Sequence, residues 1–347
     1  MNIITRQIGR TAVEATTLGV GTGPLRRPPI ADAIASLETA WTAGVRYFDT
    51  APWYGRGRSE HRLGRFLVEH CDEPFVLSTK VGRLLRPTTM ARNAAARTAI
   101  GDEDTWHVRH DYTREGILRS VEDSVQRMGV SAIDIALVHD LDLLWVGPAE
   151  RMQAHTADLL TSGWAALQEL KAQGVVRAIG FGINYSGLVD HWLDLFDPDM
   201  FLIAGPYTLM DQGELSALDR CHERGVSVVI GQVYASGILV TGPTAGATYN
   251  YHPATPESLE KARRLQEVCD SFNVPLPAAA LQFPLAHPAV TTVIPGMAGV
   301  TEARAAIDAF NVQIPDELWT ALRDQALIDP SAPTAATGPS STQGLSE

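Results

Sequence analysis

The sequence predicts an α/β protein folded as a (β/α)8 TIM barrel. Three observations lead to this prediction. Short apolar runs alternate with amphipathic segments about eight times along the chain. The runs are continuous, as in parallel strands buried on both faces, rather than alternating in polarity. No Gly-x-Gly-x-x-Gly follows the first run, which favours a closed barrel over an open dinucleotide-binding sheet.

The predicted strands are apolar runs that end near glycine, proline or polar residues. A short hairpin at residues 6–16 precedes them. The strands cover residues 18–24, 45–50, 75–80, 133–138, 176–183, 200–204, 226–233 and 290–294. The last residues of these runs therefore mark the edge at which a barrel carries its functional groups.

The predicted helices carry apolar residues at steps of three and four, and several stop at glycine, as a helix C-terminus does. Ser59 is a candidate N-cap for the second helix. The helices cover residues 30–43, a segment through Leu63, Phe66 and Leu67, and residues 117–128, 164–174, 187–196, 215–223 and 256–272. Because helices and strands alternate, neighbouring strands are expected to run parallel.

Three stretches break this regular order. Residues 83–112 and 140–156 lack clean periodicity, and a loop as long as the first is usually functional or partly disordered. From Asp329 onward, Pro, Ala, Ser, Thr and Gly dominate. We therefore expect residues 1–328 to form the barrel and residues 329–347 to form a disordered tail.

Composition excludes several classes of function. The net charge is −12 and no run of Lys or Arg occurs, so neither nucleic acid nor an anionic membrane is an expected partner. The N-terminus lacks an apolar segment, and no stretch of about 18 apolar residues is present. Cys71, Cys221 and Cys269 are scattered without CxxC spacing, which predicts neither a disulfide framework nor a zinc site. A cytoplasmic protein is expected; the sequence gives no signal of oligomeric state.

Four chemically active side chains lie where predicted strands become loops. Asp49 and Lys80 lie at the ends of the second and third strands, His139 directly follows the fourth, and Tyr54 follows the second. Each alone would more often be a turn, solvated or packing residue. Their coincidence at one edge of neighbouring strands favours a catalytic site.

These four groups suit proton transfer. A tyrosine titrates near pH 10, and a neighbouring buried lysine stabilises its phenolate and is expected to lower that pKa. Asp49 can serve as the counter-ion of a buried Lys80, and His139 can donate to a substrate oxygen. No side chain carries hydride, so a redox reaction here needs a cofactor.

The motifs around these residues resemble the aldo-keto reductases over about residues 6–325. They are Phe48-Asp49-Thr50-Ala51-x-x-Tyr54-Gly55, Ser78-Thr79-Lys80, Asp134-x-x-x-Val138-His139 and Gly174-x-Val176-Arg177-x-Ile179-Gly180. Residues 230–251 and 280–288 are similar to the bacterial D-threo-aldose 1-dehydrogenases, also called L-fucose dehydrogenases, and to the pyridoxal 4-dehydrogenases.

The resemblance implies a nicotinamide cofactor extended across the C-terminal edge of the barrel. It also implies a catalytic tetrad of Asp49, Tyr54, Lys80 and His139, with Tyr54 as general acid/base. The cofactor contacts that it implies are Gly21, Thr22, Asp49, Asn184, Tyr234, Ser236, Gly237, Leu239 and Gly296. Asn184 would bind the carboxamide, although Ile183 replaces the serine that commonly precedes this asparagine.

The segment after the last strand favours NAD over NADP. Many NADPH-using members of the family carry Lys-Ser or Gly-x-Arg after the proline at this point, which binds the 2′-phosphate. This chain has Pro295-Gly296-Met297-Ala298 and no basic residue until Arg304. NAD is the predicted cofactor, and NADP is the alternative.

The predicted reaction is NAD-dependent oxidation of a cyclic hemiacetal to its lactone. The substrate is an aldose oxidised at C1, of the L-fucose or D-arabinose type, or pyridoxal. Predicted substrate contacts are Trp53, Tyr54, His139 and Tyr249, of which Trp53 and Tyr249 are equally explained as packing residues. No metal is expected.

Three alternatives stay open at this stage. The same tetrad fits NADPH-dependent reduction of aldehydes or ketones. A redox-sensing subunit that binds cofactor without turnover belongs to a different class of function. A barrel metallohydrolase is the third alternative, because His139, Asp140 and Asp142 carry atoms that can bind a metal.

Overall fold

The computed structural model describes residues 3–87, 106–184 and 187–334. Eight parallel strands, β1–β8, pair in chain order. They are Val20–Gly21, Tyr47–Asp49, Val76–Val81, Ile135–His139, Ala178–Ile183, Met200–Ala204, Ser227–Gly231 and Val290–Ile294. Bridges from Leu18 to Val293 and from Gly21 to Gly296 join the first strand to the last. The predicted (β/α)8 barrel is therefore confirmed.

Helices connect successive strands and cover the outside of the barrel. They are Ile30–Thr42, Arg58–Glu69, Arg114–Met128, Leu143–Val146, Ala149–Asp158, Trp164–Ala172, Leu188–Leu195, Leu215–Glu223, Ile238–Thr241, Pro256–Ser271, Leu276–Gln282, Val300–Asn311 and Asp316–Asp324. Short helical turns lie at Gly23–Arg26, Leu159–Gly163, Ala235–Gly237 and Phe283–Ala286.

The N-terminal hairpin closes one end of the barrel. Strands Thr5–Gln7 and Glu14–Thr16 pair antiparallel, as predicted. Ile8 and Val13 of this hairpin join a small buried cluster with side chains from inside the barrel, including Leu137. The larger core lies between the strands and the helices. The opposite edge, where the strands end, is left to carry the polar groups.

Two irregular stretches of the sequence have more structure than expected. Residues 83–112 begin and end as an antiparallel hairpin, Arg83–Pro87 with Trp106–His110. The centre of the stretch, residues 88–105, lies outside the described residues. Within residues 140–156, helices form at Leu143–Val146 and Ala149–Asp158. The expectation of an irregular segment was wrong there.

Ser59 is not a helix cap. The helix Arg58–Glu69 begins after Gly57, whose φ of +88° is left-handed, and Ser59 lies in its first turn. The Ser59 hydroxyl instead donates to the carbonyl of Thr22 at 3.0 Å. The serine therefore ties this helix to the end of β1.

The packed chain extends past the predicted boundary at residue 328. Arg323 donates to the carbonyl of Ala332 at 3.1 Å and to the Thr334 hydroxyl at 2.8 Å. Ala332 is buried. Residues 335–347 of the predicted tail lie outside the described residues.

Within the described ranges, no helix combines the length and the apolar character needed to cross a bilayer.

Candidate active site

A buried ion pair lies at the ends of β2 and β3. The Lys80 Nζ atom donates to the Asp49 carboxylate at 2.6 Å and to the carbonyl of Thr50 at 2.9 Å. The Ser78 hydroxyl donates to the other Asp49 oxygen at 2.6 Å. Both charged side chains are only 2% exposed. Gly182 on β5 leaves room for the lysine, because a Cβ there would lie 3.1 Å from Lys80 Cε.

Tyr54 lies directly over this pair. It follows β2 in a turn in which its backbone N–H donates to the carbonyl of Ala51 at 3.1 Å. The Lys80 Nζ atom is 5.0 Å from the centre of the Tyr54 ring, close enough for the ammonium to act on the phenol electrostatically. Tyr54 is only partly buried. Its position suits an exchange of protons with a ligand.

His139 completes the group at the end of β4. Its ring stands perpendicular to that of Tyr54, with the ring centres 6.1 Å apart. The Tyr112 hydroxyl donates to the His139 carbonyl at 2.8 Å and fixes the backbone. The structure therefore brings together the four predicted catalytic side chains.

The charge of the group resides on Asp49 and Lys80. Burial opposes the charged ammonium, but the neighbouring Asp49 and Tyr54 raise the pKa of Lys80. Burial, followed by the cations Arg83 and Lys80, lowers the pKa of His139 well below its usual range. The imidazole is therefore neutral at neutral pH.

The expected depression of the tyrosine pKa was wrong as a net effect. Burial raises the pKa of Tyr54, and the Lys80 ammonium opposes that rise without reversing it. The reason is that a phenolate loses more hydration in this site than one lysine restores. Tyr54 is therefore a neutral phenol at neutral pH.

A second buried ion pair, Arg83 with Asp140, adjoins His139. The guanidinium of Arg83 lies 3.1 Å from the carboxylate of Asp140, and the Arg83 side chain is 1% exposed. It is enclosed by Trp53 and Trp145, whose ring centres are each 5.3 Å away. The other Asp140 oxygen accepts from the amide of Asn184 at 2.6 Å.

Aromatic rings flank this region. Trp53 and Trp145 contact each other edge to face, with ring centres 5.5 Å apart. Tyr249 packs against the main core. The hydroxyl of Tyr251 donates to the Asn184 side-chain oxygen at 3.3 Å. Tyr251, which the sequence did not suggest, is therefore the tyrosine of this loop that reaches Asn184.

The residues expected to contact a cofactor lie at one edge of the barrel. Gly21 at the end of β1 pairs with Asp49, and Gly296 beyond β8 bridges to Gly21. The backbone N–H of Thr22 donates to the Asp49 carbonyl at 2.9 Å. Asn184 follows β5 directly. The segment of Tyr234, Ser236, Gly237 and Leu239 follows β7.

Residues 17–326 match the family model described as the aldo/keto reductase family. The chain belongs to the aldo/keto reductase family. It is 40% identical to the pyridoxal 4-dehydrogenase of Microbacterium luteolum over 336 residues, covering 93% of this chain and 97% of that protein. It is 36% identical to a D-threo-aldose 1-dehydrogenase of a Pseudomonas species, covering 86% and 88%. This aldo/keto reductase is therefore an oxidoreductase that acts on small molecules with a nicotinamide cofactor.

Solved structures support the fold. An aldo-keto reductase from Bacillus halodurans, in its holo form, superposes with a TM-score of 0.74 at 22% identity, covering 96% of this chain and 99% of that chain. The glycerol dehydrogenase of Gluconobacter oxydans superposes with a TM-score of 0.72 at 20% identity, covering 94% and 98%.

Unpartnered polar atoms at the C-terminal edge fit a nicotinamide cofactor. The Thr22 hydroxyl and the Gln232 side-chain nitrogen are buried without a hydrogen-bond partner among the described residues. Buried polar atoms normally have partners, which a polar ligand crossing this edge would supply. Leu239 is fully buried, so a cofactor would meet its backbone rather than its side chain.

Chain packing already explains two glycines of this aldo/keto reductase. A Cβ at Gly21 would lie 2.9 Å from the carbonyl of Ile294, and a Cβ at Gly296 would lie 2.5 Å from the Pro24 ring. Close approach of the chain therefore requires glycine at both positions, whether or not a cofactor also approaches them.

The metal-site alternative finds no support in the described part of the chain. There, no group of three or more His, Cys, Asp or Glu side chains is arranged to hold a metal ion. Asp140 is bound by Arg83 and Asn184. Asp142 instead accepts from the backbone N–H of Trp145 at 2.9 Å and caps a helix.

Proposed function

We propose that this aldo/keto reductase oxidises a cyclic hemiacetal to its lactone with NAD. The substrate is an aldose, oxidised at C1, or pyridoxal in its internal hemiacetal form. One observation carries the proposal: a buried Asp49–Lys80 pair lies beneath a partly exposed Tyr54. The relatives at 40% and 36% identity, named for pyridoxal and aldose oxidation, support this choice of substrate class.

The proton of the substrate hydroxyl moves to Tyr54 in this reaction. When bound, the nicotinamide supplies a carbon that accepts hydride from the hemiacetal carbon. The phenolate form of Tyr54 takes the hydroxyl proton as the carbonyl of the lactone forms. Lys80 stabilises that phenolate, and Asp49 keeps Lys80 charged. Because burial raises the pKa of Tyr54, oxidation becomes faster as the pH rises.

His139 orients the substrate oxygen in this proposal. Its lowered pKa keeps the imidazole neutral, so it interacts with the substrate as a hydrogen-bonding group and not as a cation. Trp53, Tyr54 and Tyr249 remain the other predicted contacts. Tyr251 is added to them because its hydroxyl reaches Asn184.

The preference for NAD rests on the turn after β8. Residues Pro295 to Ala298 carry no cation, and Glu302 in the first turn of the following helix is acidic. A 2′-phosphate placed here would lack a guanidinium or ammonium partner, whereas a ribose diol needs none.

Reduction of an aldehyde or ketone is the second candidate. The neutral Tyr54 phenol favours it, because a phenol can donate a proton to a developing alkoxide. NADPH is the cofactor in this alternative. The preference for substrate and for cofactor separates the two candidates.

The test is the initial rate with NAD, and separately with NADP, against pyridoxal, L-fucose, D-arabinose and D-glucose. We expect NAD reduction with pyridoxal or with an aldose, a lactone product by mass spectrometry, and loss of the rate in Tyr54→Phe. Faster consumption of NADPH with an aldehyde would instead establish the reductase. Tight cofactor binding without any turnover would support a redox sensor.

The proposal includes a cytoplasmic location. Cys71, Cys221 and Cys269 are free thiols, as expected in a reducing compartment. Fractionation of cells expressing the full chain tests this point.

A further inference from the structure

Asp140 is a buried carboxylate between two groups of the candidate site. It directly follows His139, whose Nε2 atom lies 3.3 Å from an Asp140 oxygen. Its other oxygen accepts from the Asn184 amide nitrogen at 2.6 Å. His139 belongs to the predicted tetrad, and Asn184 is the predicted carboxamide contact. One carboxylate therefore lies next to both the residue predicted to orient the substrate and the residue predicted to bind the cofactor.

The placement of Asp140 is enforced by its surroundings. Its φ is +37°, in the left-handed region that a residue with a side chain rarely adopts. Its backbone N–H donates to the Gly182 carbonyl at 2.9 Å, which holds this conformation against β5. Arg83 contacts both the carboxylate and, at 3.4 Å, the carbonyl of Asp140. Backbone strain of this kind persists only where several contacts hold the residue in place, and it is common at functional sites.

We propose that Asp140, held by Arg83, is a positioning residue that sets the orientation of the His139 imidazole and the Asn184 amide for hydride transfer. The part that concerns hydride transfer rests on the proposed function. The part that concerns placement rests on the geometry alone.

The first consequence concerns the histidine. A carboxylate beside Nε2 favours the neutral tautomer that carries its proton on Nε2. The Nδ1 atom of His139 is buried and has no hydrogen-bond partner among the described residues, so no contact there competes with this choice. Asp140 thereby determines which nitrogen of the imidazole carries the hydrogen.

The second consequence concerns the asparagine. With its nitrogen donating to Asp140, Asn184 presents its oxygen to the other side, where Tyr251 now donates to it. An amide oxygen held in this direction accepts from the NH2 group of a carboxamide. Asp140 thus fixes the end of Asn184 that a nicotinamide would meet.

The ionisation of Asp140 lies near neutral pH. Burial raises the pKa of Asp140 to about 7, and Arg83 opposes the rise. The charged or titratable groups that face it come from several elements. They are Arg83, Lys80, Tyr54, Tyr112, His139, Asp142 and Tyr251. When Asp140 gains a proton, the negative charge beside His139 Nε2 and the Asn184 amide nitrogen is lost.

The first experiment needs no turnover. In full-length wild-type protein with 15N-labelled histidine, the His139 signals are identified by their loss in His139→Gln. We expect shifts of a neutral ring with its proton on Nε2, and a perturbation as the pH passes about 7 while the ring stays neutral. A proton on Nδ1, or shifts that do not respond in this range, would overturn the placement.

The second experiment measures steady-state kinetics and NAD binding in Asp140→Asn. We expect kcat to fall about 100-fold, with a smaller change in KM, because misplacing a reacting group by about 1 Å has this effect. NAD, titrated by tryptophan fluorescence, should bind more weakly, and the limb of the pH profile near 7 should disappear.

A charge-balanced variant guards against misfolding. Asp140→Asn leaves Arg83 buried without its counter-ion, so the double variant Asp140→Asn with Arg83→Gln removes both charges. Asp199→Asn is the matched control, because Asp199 is also buried and paired, with Lys171, ahead of β6 and away from the site. The Asp199→Asn variant should have lower thermal stability and an unchanged pH profile.

Unchanged kcat, NAD affinity and pH profile in the folded double variant would overturn the proposal. If wild-type protein oxidises no hemiacetal, the proposed function fails instead. The histidine spectra and the NAD titration then still decide whether Asp140 positions the two groups.

Discussion

The Asp49–Lys80 pair concentrates charge beneath one phenol. A buried ion pair is often no more stabilising than apolar residues of the same shape, so its presence needs a reason beyond stability. Here the two Asp49 oxygens accept from Lys80 and Ser78, which leaves neither charge unsolvated. The ammonium also donates to the carbonyl of Thr50 and lies 5.0 Å from the centre of the Tyr54 ring. The pair is therefore placed to influence proton transfer at the Tyr54 hydroxyl.

Removing the Tyr54 hydroxyl tests the assignment of the acid/base directly. We expect Tyr54→Phe to lower kcat by about 10²- to 10⁴-fold, the range for loss of a general acid/base, with NAD affinity retained. Tyr207→Phe is the matched control, because that buried phenol stacks on Phe283 behind the barrel wall. Steady-state kinetics would be measured on both variants. A wild-type kcat in Tyr54→Phe would refute the assignment.

The pH dependence of oxidation follows from Lys80. Burial raises the pKa of Tyr54 and the ammonium opposes this, so removing the ammonium raises the pKa further. In Lys80→Met the rising limb of the profile of log kcat against pH should move to higher pH by at least about one unit. Activity at neutral pH should fall.

Lys171→Met serves as the control for that measurement. Lys171 also forms an ion pair with a buried aspartate, Asp199, but on the outer side of the fold. Its removal should leave the limb in place. A limb that stays unmoved in Lys80→Met would show that Tyr54 is not the titrating group.

The proximity of the four side chains was predictable because Asp49, Lys80 and His139 lie where apolar runs end and Tyr54 lies just beyond one, and barrel geometry gathers such positions at one edge. Arg83 and Trp145 were not predicted, since they lie in stretches without periodicity. The role of Asp140 depends on a left-handed backbone and on Arg83 arriving from another strand. Neither feature can be recognised from the local sequence.

At the scale of elements, the close contact between helices Arg58–Glu69 and Arg114–Met128 positions the turn that carries Tyr54. A Cβ at Gly64 would lie 2.1 Å from the carbonyl of Met128, so this helix pair requires glycine. The helices pack through backbone at this point. Widening their separation would displace the start of the helix that follows Tyr54.

Gly64→Ala should therefore destabilise the fold strongly. We expect a loss of about 3 kcal/mol or more in the free energy of unfolding, the upper range for overpacking. Gly174→Ala is the matched control: its φ is +74° with no atom within 4 Å, so only the left-handed strain of about 1 kcal/mol applies. Denaturant unfolding measures both. Equal losses in the two variants would contradict the close-packing argument.

Element prediction succeeded where periodicity was strong and failed where pairing was not local. The bounds of β6, β8 and the helix Leu215–Glu223 match the prediction. The hairpin of Arg83–Pro87 with Trp106–His110 did not stand out, because its strands are far apart in the chain and neither alternates cleanly. Its existence depends on pairing that sequence spacing does not encode.

In the whole molecule, one end of the barrel is closed by packing and the opposite end carries the predicted functional groups. The N-terminal hairpin seals one end, where Gly9 donates to the Ser227 hydroxyl at 2.7 Å. Predicted cofactor contacts come from the ends of β1, β2, β5, β7 and β8. A ligand that binds across these strands stabilises the folded state as a whole, by about 2.7 kcal/mol at a hundred times its Kd. Cofactor preference is therefore measurable as thermal stability.

We expect NAD to raise the melting temperature more than NADP at equal concentration, because the turn after β8 lacks a cation for the 2′-phosphate. Ala298 is partly exposed in that turn, so a long side chain fits there. Ala298→Arg should increase the shift produced by NADP, since a guanidinium pairs with phosphate through two hydrogen bonds. Ala298→Gln, which adds length without charge, should not. A larger NADP shift in the wild-type protein would reverse the cofactor assignment while leaving the tetrad chemistry intact.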